Sequence, residues 1–400
     1  MIDLMLAHGA DPGAERDLLE RIAQHTERVL ASAGKGDRSR VAAAEAEVSM
    51  DPAGCIAFDG RSSATVRACG QQWNAGRFEI PMLWSLRQRA QARRLAVEEG
   101  AAPAPCRLWV LLGEGAATDI AALQATAPDG ALFQAASQFN CLEAPGPRVV
   151  PVARYLSDPT QGPRASVSAF PATLVRHYAA PSTDGRRFTQ RTDGEQIDLL
   201  SDVFPVSVAR VDNGYLHTEA IHDDDAFAEA LRERFDAVRV GVHDDVDVVL
   251  GYNWDGGVEG ARRIAQVFTS TLAGGGYSDR SLRDGALAAG CRQLQRAAYL
   301  GTLLAALALG RRVVVLTLIG GGVFGNPPAL IWESILWAMD EVDRTVPGGE
   351  ALEVVVNGRT LAREVPREEL LAATRARGGV VVELGRRQDA AGRYLAAIHR

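Results

Sequence analysis

The spacing of apolar residues divides the chain near residue 105. Before that point, apolar positions recur at helical spacing over 14–34 and over 80–100, and each run ends at a glycine. Residues 36–79 are rich in Gly, Ser, Asp and Ala, which predicts a loop-rich connection between the two helices. Closely spaced prolines in 100–106 interrupt both helix and sheet, so this segment predicts a linker.

Beyond the linker, short apolar runs alternate with segments of helical periodicity. Strands are predicted at 107–113, 130–137, 238–251, 313–319, 352–358 and 380–385, and helices at 117–127, 163–179 with a break at Pro171, 282–310, 328–342 and 367–378. Residues 258–273 fit either a helix or a strand. Several strands are apolar on both faces, which is typical of a sheet covered on both sides. The pattern predicts a mainly helical extension over 1–104 and a layered α/β domain over 105–400 with a mixed, largely parallel central sheet.

Composition narrows the class of protein. The 400 residues are 47% hydrophobic, enough for a substantial core, and the formal charge of -7 gives no general attraction to nucleic acid or to anionic membranes. The most apolar stretch, 297–310, is too short to span a bilayer. The five cysteines are scattered, and the first residues lack a basic region followed by an unbroken apolar run. We therefore expect reduced thiols in a cytoplasmic protein.

A glycine-rich turn separates a buried strand from a helix in VVVLTLIGGGVFGNPPALIW, residues 313–332. Such glycines expose backbone N–H groups, which with the helix dipole suit a phosphate or pyrophosphate. A P-loop is excluded because neither lysine nor a hydroxyl residue follows Gly325. The G-x-G-x-x-G pattern fits a Rossmann turn, but the next predicted strand ends at Asn357 and Gly358 instead of an acidic residue. The structural alternative is a tight turn that binds nothing.

Polar residues follow the predicted strand 130–137 in the segment QFNCLE, which contains Gln138, Asn140 and Glu143. The amide of Asn140 both donates and accepts hydrogen bonds, so it suits a ribose hydroxyl. The alternative is a turn whose polar side chains satisfy its own backbone.

The segment DPTQGP, residues 158–163, opens a predicted helix. Backbone donors near Gln161 and Gly162 predict a second anion-binding turn. Helix capping by Asp158 or Thr160 accounts for the same pattern without a ligand.

A third polar segment lies in the predicted strand 238–251. In a regular strand His243, Asp245 and Asp247 share one face, because side chains alternate. Such carboxylates raise one another's proton affinity and can activate a water, with Asp255 joining them across a turn, and the His–Asp set can also hold a divalent metal. The alternative is a solvated, acidic edge strand.

Aromatic residues in loops, Tyr252, Trp254 and Phe324, are candidates to stack on a base or to cover the core. No G-x-S-x-G or H-E-x-x-H pattern is present, so serine hydrolase and zinc protease chemistry lack support.

Residues 316–339 resemble the second phosphate-binding loop of macrodomains, in which a late strand runs into a G-[VI]-[FY]-G turn above a helix. The stretch 119–140 resembles the macrodomain segment in which an Asp-Ile pair precedes a strand ending in N-A-A-N. This resemblance places Asp119 and Ile120 near the adenine, and puts Ser137 where asparagine is usual.

The chain is most similar to a divergent macrodomain-like family that includes bacterial effectors removing ADP-ribose from ADP-ribosylated ubiquitin. Four motifs of that family occur in order: ASQFNCLE at 136–143, DPTQGP at 158–163, QVF at 266–268 and GGGVFGN at 320–326. The resemblance covers about 106–345 and implies a three-layer α/β/α fold. It implies ADP-ribose-binding residues in each segment, namely Asp119, Ile120, Gln138, Asn140, Thr160, Gln161, Gly162, Gln266, Gly320, Gly321, Gly322, Val323, Phe324, Gly325 and Asn326.

The resemblance implies an ADP-ribosyl hydrolase that acts on an ADP-ribosylated protein, with arginine linkage or ubiquitin as candidate substrates. Asp158, Asp247 and Asp255 are the candidate catalytic carboxylates, and no cofactor is expected. One alternative is a reader module that binds ADP-ribose without cleaving it. Another is a Rossmann-type enzyme that uses NAD.

Overall fold

The structure is a computed structural model that describes residues 1–10, 15–60, 62–95, 104–182, 184–283, 285–346, 351–388 and 394–399. Its helices are α1 Ile2–Ala10, α2 Glu15–Ala31, α3 Ser39–Met50, α4 Pro52–Cys55, α5 Leu83–Leu95, α6 Ile120–Ala125, α7 Gln161–Ser168, α8 Phe170–Tyr178, α9 Asp224–Glu233, α10 Gly285–Leu309, α11 Pro328–Thr345 and α12 Arg367–Ala376. Its strands are β1 Ile56–Phe58, β2 Ser63–Ala68, β3 Gln71–Glu79, β4 Arg107–Leu112, β5 Leu132–Ala136, β6 Ala180–Pro181, β7 Arg187–Phe188, β8 Gly241–Asp247, β9 Arg263–Thr269, β10 Val313–Leu316, β11 Glu353–Arg359, β12 Val381–Gln388 and β13 Tyr394–His399.

One 11-stranded sheet runs through the molecule in the order β1-β2-β3-β8-β9-β5-β10-β11-β4-β12-β13. The strands from β9 to β12 in this order pair in parallel, whereas β1, β2, β3 and β8 on one side and β13 on the other pair antiparallel. The central strands β4, β5, β9, β10 and β11 are almost wholly buried, as their continuous apolar runs predict.

Helices cover both faces of this sheet. Gln134 of β5 donates to Thr302 Oγ1 of α10 at 3.1 Å, while Gln266 of β9 donates to the carbonyl of Ala165 in α7 at 2.9 Å. Gln266 is in register with Phe133, the neighbour of Gln134, so the two glutamines point to opposite faces. The predicted three-layer α/β/α class with a mixed central sheet is confirmed.

The prediction of a loop-rich connection over 36–79 is wrong. This segment forms α3, α4 and the strands β1 to β3, and β3 pairs with β8 of the central sheet. Apolar residues at alternate positions, including Val66, Trp73 and Ala75, are buried, and the hydrogen bonds to neighbouring strands override the low strand propensity of Gly and Ser. The N-terminal part therefore combines the helices α1 to α5 with three strands, β1 to β3, that extend the central sheet. Residues 100–103 of the predicted linker 100–106 lie outside the described residues.

Other elements agree with the sequence pattern. The ambiguous segment 258–273 contains the strand β9, and the helix predicted over 163–179 is broken into α7 and α8 with Pro171 in the first turn of α8. The residues between β5 and α7 include a 3-10 helix, Val152–Ser157. None of the described helices combines the length and apolar character needed to cross a membrane.

A β-bulge interrupts β8. His243 pairs with Gln266 and Val246 with Ile264, so two residues of β8 face one residue of β9, and Asp245 has a φ of 59°. Because of the extra residue, His243 and Asp247 project to opposite faces, not to the shared face expected from a regular strand.

Gly76 makes this bulge sterically possible. Its φ is +66°, and a Cβ at this position would lie 2.0 Å from the carbonyl oxygen of Asp244. We predict that Gly76→Ala costs about 2 kcal/mol or more of unfolding free energy, because it combines a left-handed backbone with a clash. Gly70→Ala is the matched control, since Gly70 has φ +67° in the same hairpin and open space around its Cβ. Denaturant unfolding should show a clearly smaller loss for the control; equal losses would contradict the steric argument.

Candidate functional site

A cleft of about 480 Å³ lies at the carboxyl ends of the parallel strands. Its floor is formed by residues at the ends of β5, β9, β10 and β11, including Ser137, Ser270, Thr317 and Asn357. The loop 158–162 before α7 and the loop 320–324 before α11 both line it. The two predicted anion-binding turns are thus brought together, as the open edge of a parallel sheet favours.

The glycine loop presents unpaired backbone donors to this cleft. Within the described residues, the N–H groups of Gly320, Gly322, Val323 and Phe324 donate to no protein acceptor. Gly320 and Gly321 also line the cleft, and a Cβ at Gly322 would meet no atom within 4 Å. Successive backbone N–H groups without partners, in residues that line a cleft, suit the binding of an anion.

Asn326 holds the loop and does not face the ligand space. Its Oδ1 accepts hydrogen bonds from Thr271 Oγ1 at 3.0 Å and Gln295 Nε2 at 2.9 Å, and its Nδ2 donates to the Leu272 carbonyl at 2.9 Å. Gly325, with φ +61°, packs against Gly275, where a Cβ would lie 2.6 Å from the Gly275 Cα. Neither Asn326 nor Gly325 lines the cleft. Both residues stabilise the glycine loop and do not make the predicted ligand contact.

The loop 158–162 forms the facing wall. Asp158 Oδ1 accepts the N–H of Thr160 at 2.9 Å, and Gln161 Oε1 accepts the N–H of Ile120 at 2.8 Å. The bond from Thr160 to Asp158 is a local turn, whereas α7, whose N-cap is Thr160, has no side-chain cap bond, so the predicted helix capping does not form. Asp158, Thr160, Gln161 and Gly162 all line the cleft. Ligand contacts by these residues stay predictions.

Glu143 is a cleft residue that the sequence-based list of site residues leaves out. Its Oε1 packs against Gly162, where a Cβ would lie 1.9 Å from that oxygen, so only glycine leaves room for the carboxylate. Its Oε2 accepts from Gln138 Nε2 at 3.3 Å. Burial raises the pKa of Glu143 well above its ordinary value of 4.5, and the negative charge of Asp158 raises it further. Among the described residues, neither Glu143 nor Asp158 forms an ion pair.

An aromatic cluster closes one end of the cleft. The ring centroids of Tyr215 and Tyr277 lie 5.8 and 5.4 Å from that of Phe324, and all three residues line the cleft. Phe324 is the aromatic residue expected from sequence, whereas Tyr215 and Tyr277 lie far from any recognised motif. Trp254 is buried in the core at 2% exposure, and Tyr252 lines a different cavity.

Two buried polar atoms without partners belong to residues that line the same cleft. Ser270 Oγ and Asn357 Oδ1 have no hydrogen-bond partner in the described structure, and these residues are 5% and 3% exposed. Arg359 lines the cleft beside Asn357, and its Nη1 donates to the carbonyl of Thr118 at 2.9 Å. Unsatisfied buried polar atoms are costly, so these groups are suited to a polar ligand.

Asp119 and Ile120 lie beside the cleft but not among its lining residues. The Asp119 carboxylate is 1% exposed, caps α6 through the N–H of Ala122 at 3.1 Å, and forms an ion pair with Arg164. All of these partners are internal, and an adenine contact by Asp119 or Ile120 stays a prediction.

The amides of three predicted binding residues are used inside the protein. Gln138 bonds to the backbone N–H of Ala144 at 2.9 Å and so holds the loop that carries Glu143. Asn140 donates to Gln196 Oε1 at 2.9 Å, and Gln266 is buried against α7. Of these three, only Gln138 lines the cleft, so the structure corrects the expected placement of Asn140 and Gln266.

Asp247 lies at the amino end of β9, opposite the end that adjoins the cleft. It is in register with Arg263, the first residue of β9, whereas the cleft adjoins the last residues of β9, about 20 Å away along the strand. Its carboxylate accepts from Asn74 N–H at 2.7 Å and Arg263 Nε at 3.2 Å. Asp255 accepts the N–H of Gly34 at 3.0 Å and does not line the cleft. Asp247 and Asp255, which were candidate catalytic carboxylates, therefore lie outside the cleft, and only Asp158 of the three candidates lines it.

The alternative metal site at His243, Asp245 and Asp247 is not formed. His243 is buried, its Nδ1 lies 3.1 Å from Arg176 Nη1, and its Nε2 lies 2.6 Å from the carbonyl oxygen of Ala75. Burial and the charge of Arg176 hold the pKa of His243 well below its ordinary value. No three His, Cys, Asp or Glu side chains in the described ranges are placed to share a metal.

No family model and no curated protein sequence matches the chain. Similar solved structures include the poly(ADP-ribose) glycohydrolase of Thermomonospora curvata, which is 15% identical over 85% of this chain and 98% of that chain, with a TM-score of 0.38. The poly(ADP-ribose) glycohydrolase of Deinococcus radiodurans in complex with ADP-ribose is 15% identical over 73% of this chain and 95% of that chain, with a TM-score of 0.40. TM-scores and identities this low establish neither a family nor an activity for this chain.

Gly322→Glu tests the anion site directly. The new carboxylate would project into the open space beside the free N–H groups, so we predict loss of ADP-ribose binding with little change in fold. Calorimetric titration with ADP-ribose, NAD and AMP measures the effect, with Gly322→Ala as the control. Unchanged ADP-ribose affinity in Gly322→Glu would show that the loop is a structural turn.

The raised pKa of Glu143 predicts a pH-dependent stability. Because its folded pKa lies above the unfolded value, its contribution to stability is fully present below pH 4.5 and is lost as pH rises through the folded pKa. Glu143→Gln, which stays neutral, should therefore raise the Tm near pH 7.5 by a margin that shrinks towards pH 4.5. A Tm difference that does not change with pH would contradict this assignment.

Proposed function

We propose that this chain is an ADP-ribosyl hydrolase that releases ADP-ribose from an ADP-ribosylated protein. The observation that carries the proposal is a carboxyl group of raised pKa, Glu143, beside a second carboxylate, Asp158, in the cleft that also holds the free N–H groups of the glycine loop. The proposed chemistry is of the same class as that of the glycohydrolases named above.

The ligand is proposed to lie across the strand ends with its pyrophosphate on the loop 320–324. The cleft spans the ends of the neighbouring strands β9, β5, β10 and β11, about 14 Å at the spacing of paired strands, which suits an extended dinucleotide-like molecule. Arg359 places a positive charge at the β11 end of the cleft. Ser270 Oγ and Asn357 Oδ1 offer hydrogen bonds to the sugars.

The two carboxyl groups suit different roles in glycoside hydrolysis. In the proposed reaction the bond from the anomeric carbon to the leaving atom breaks, and that atom keeps the electron pair and takes a proton from Glu143. A water oxygen bonds to the anomeric carbon and gives a proton to Asp158. Proton exchange with solvent then restores both groups, and the net change is addition of one water. Glu143 fits the acid because burial favours its protonated form.

The leaving group is proposed to be the guanidinium of arginine. Asp158 and Glu114 both line the cleft beside Glu143, and their negative charge favours a cationic leaving group over a neutral one. Ubiquitin as the modified protein rests only on the motif resemblance and belongs to the same proposal. A cytoplasmic location agrees with both.

The second candidate is an NAD-dependent enzyme, because β10, the glycine loop, α11 and β11 form a parallel β-α-β unit with the G-x-G-x-x-G pattern. The end of β11 carries Asn357 and Arg359 where a dinucleotide fold expects an acidic residue. This departure favours the hydrolase.

Tight ADP-ribose binding with no release from arginine, acidic or serine linkages would instead select the reader module.

Catalysis by the carboxyl pair predicts a split between turnover and binding. Glu143→Gln and Asp158→Asn should each lower kcat for release of ADP-ribose from an arginine-ADP-ribosylated protein by about 100-fold or more, and leave ADP-ribose affinity within about threefold. Asp247→Asn is the control, because Asp247 lies at the end of the strands away from the cleft. Its kcat and ADP-ribose affinity should match those of the wild type. Full activity in both cleft variants would overturn the assignment.

A further inference from the structure

A carboxylate from the N-terminal segment is buried under one wall of the cleft. Glu45 of α3 is 4% exposed, and its Oε1 and Oε2 accept the backbone N–H groups of Val152 and Ala153 at 2.5 and 2.8 Å. The Tyr178 hydroxyl donates to Oε1 at 2.7 Å. These N–H groups open the 3-10 helix Val152–Ser157 and would otherwise lack partners. Glu45 thus fixes the start of this helix from more than a hundred residues away.

The other end of the same helix reaches the cleft carboxyl groups. Tyr155, within the helix, accepts the backbone N–H of Glu143 on its hydroxyl at 3.3 Å. Asp158 follows the helix directly and donates its N–H to the Tyr155 carbonyl at 3.1 Å. Any shift of the helix therefore moves Asp158 and changes the support under Glu143 together.

A buried carboxylate is an expensive way to cap a short helix. No Arg, Lys or His side chain within the described residues forms an ion pair with Glu45, so hydrogen bonds alone compensate its burial. A local Ser, Asp or Asn could satisfy the same N–H groups at the surface. What the buried contact adds is a rigid link between α3 and the helix below the cleft.

We propose that Glu45 is a positioning residue for the reaction, which holds the Val152–Ser157 helix so that Asp158 and Glu143 keep their mutual geometry. The N-terminal segment is then part of the catalytic apparatus and not a separate substrate-recognition module. This inference rests on the hydrolase proposed above. Its structural half, the link from Glu45 to the Glu143 backbone, is measurable without any activity.

Hydrogen–deuterium exchange and kinetics on Glu45→Ala and Glu45→Gln test the proposal. In Glu45→Ala we expect faster exchange at Val152, Ala153 and the Glu143 N–H, a kcat lowered by about 10- to 100-fold, and ADP-ribose affinity within about threefold of the wild type. Glu45→Gln keeps one acceptor oxygen and should be intermediate. Glu47→Gln, an exposed carboxylate on the same helix, is the control and should behave as the wild type.

Two results would overturn the proposal. One is unchanged exchange at the Glu143 N–H together with unchanged kcat in Glu45→Ala. The other is a parallel fall of kcat, ADP-ribose affinity and Tm, which would indicate a general structural role. A wild-type protein that releases no ADP-ribose from any linkage refutes the hydrolase instead, and the exchange at Glu143 still decides whether Glu45 supports it.

Discussion

Parallel pairing of the central strands is the constraint on which the site depends. Five neighbouring strands run in the same direction: β9, β5, β10, β11 and β4. Their carboxyl ends therefore lie side by side at one end of the sheet, where the chain has to turn away from it. At each turn the backbone leaves N–H and C=O groups that the sheet no longer pairs. The glycine loop after β10 leaves several N–H groups free, and Ser270 and Asn357 leave buried oxygens free. The proposed ADP-ribose ligand would supply the missing partners at this end of the strands.

Local pattern predicts the three-layer α/β class and the two loops, although it misses the strands β1 to β3. The glycine cluster of 320–325 and the break at Pro171 are determined by backbone geometry that a few neighbouring residues impose, so the sequence shows them directly. Side-chain direction is different, because distant contacts determine it. Asn140, Gln266 and Asn326 have the right chemistry for a ligand, but their partners are Gln196, the α7 backbone and Thr271, which no local pattern reveals.

The failure at Asp247 has a similar cause. Regular alternation puts His243 and Asp247 on one face, whereas the bulge at Asp245 puts them on opposite faces, and the space for that bulge comes from Gly76 on another strand. Glu143 shows the reverse case. It stands in the recognised QFNCLE segment, but its importance comes from burial against Gly162 and from the charge of Asp158, both set by tertiary structure. Sequence therefore identifies the segments of this site better than the atoms that act in it.

The cleft combines two requirements that oppose each other. A pyrophosphate needs a positive or neutral environment, while glycoside cleavage needs carboxyl groups close to the sugar. Two ionised carboxylates facing the same small space would repel the diphosphate. Burial of Glu143 reduces this conflict, because its raised pKa favours the protonated form. In the proposed reaction, that proton is also the one that the leaving group takes. Under the proposed function, the desolvated position of Glu143 therefore serves binding and bond cleavage together, and Asp158 takes the proton from water.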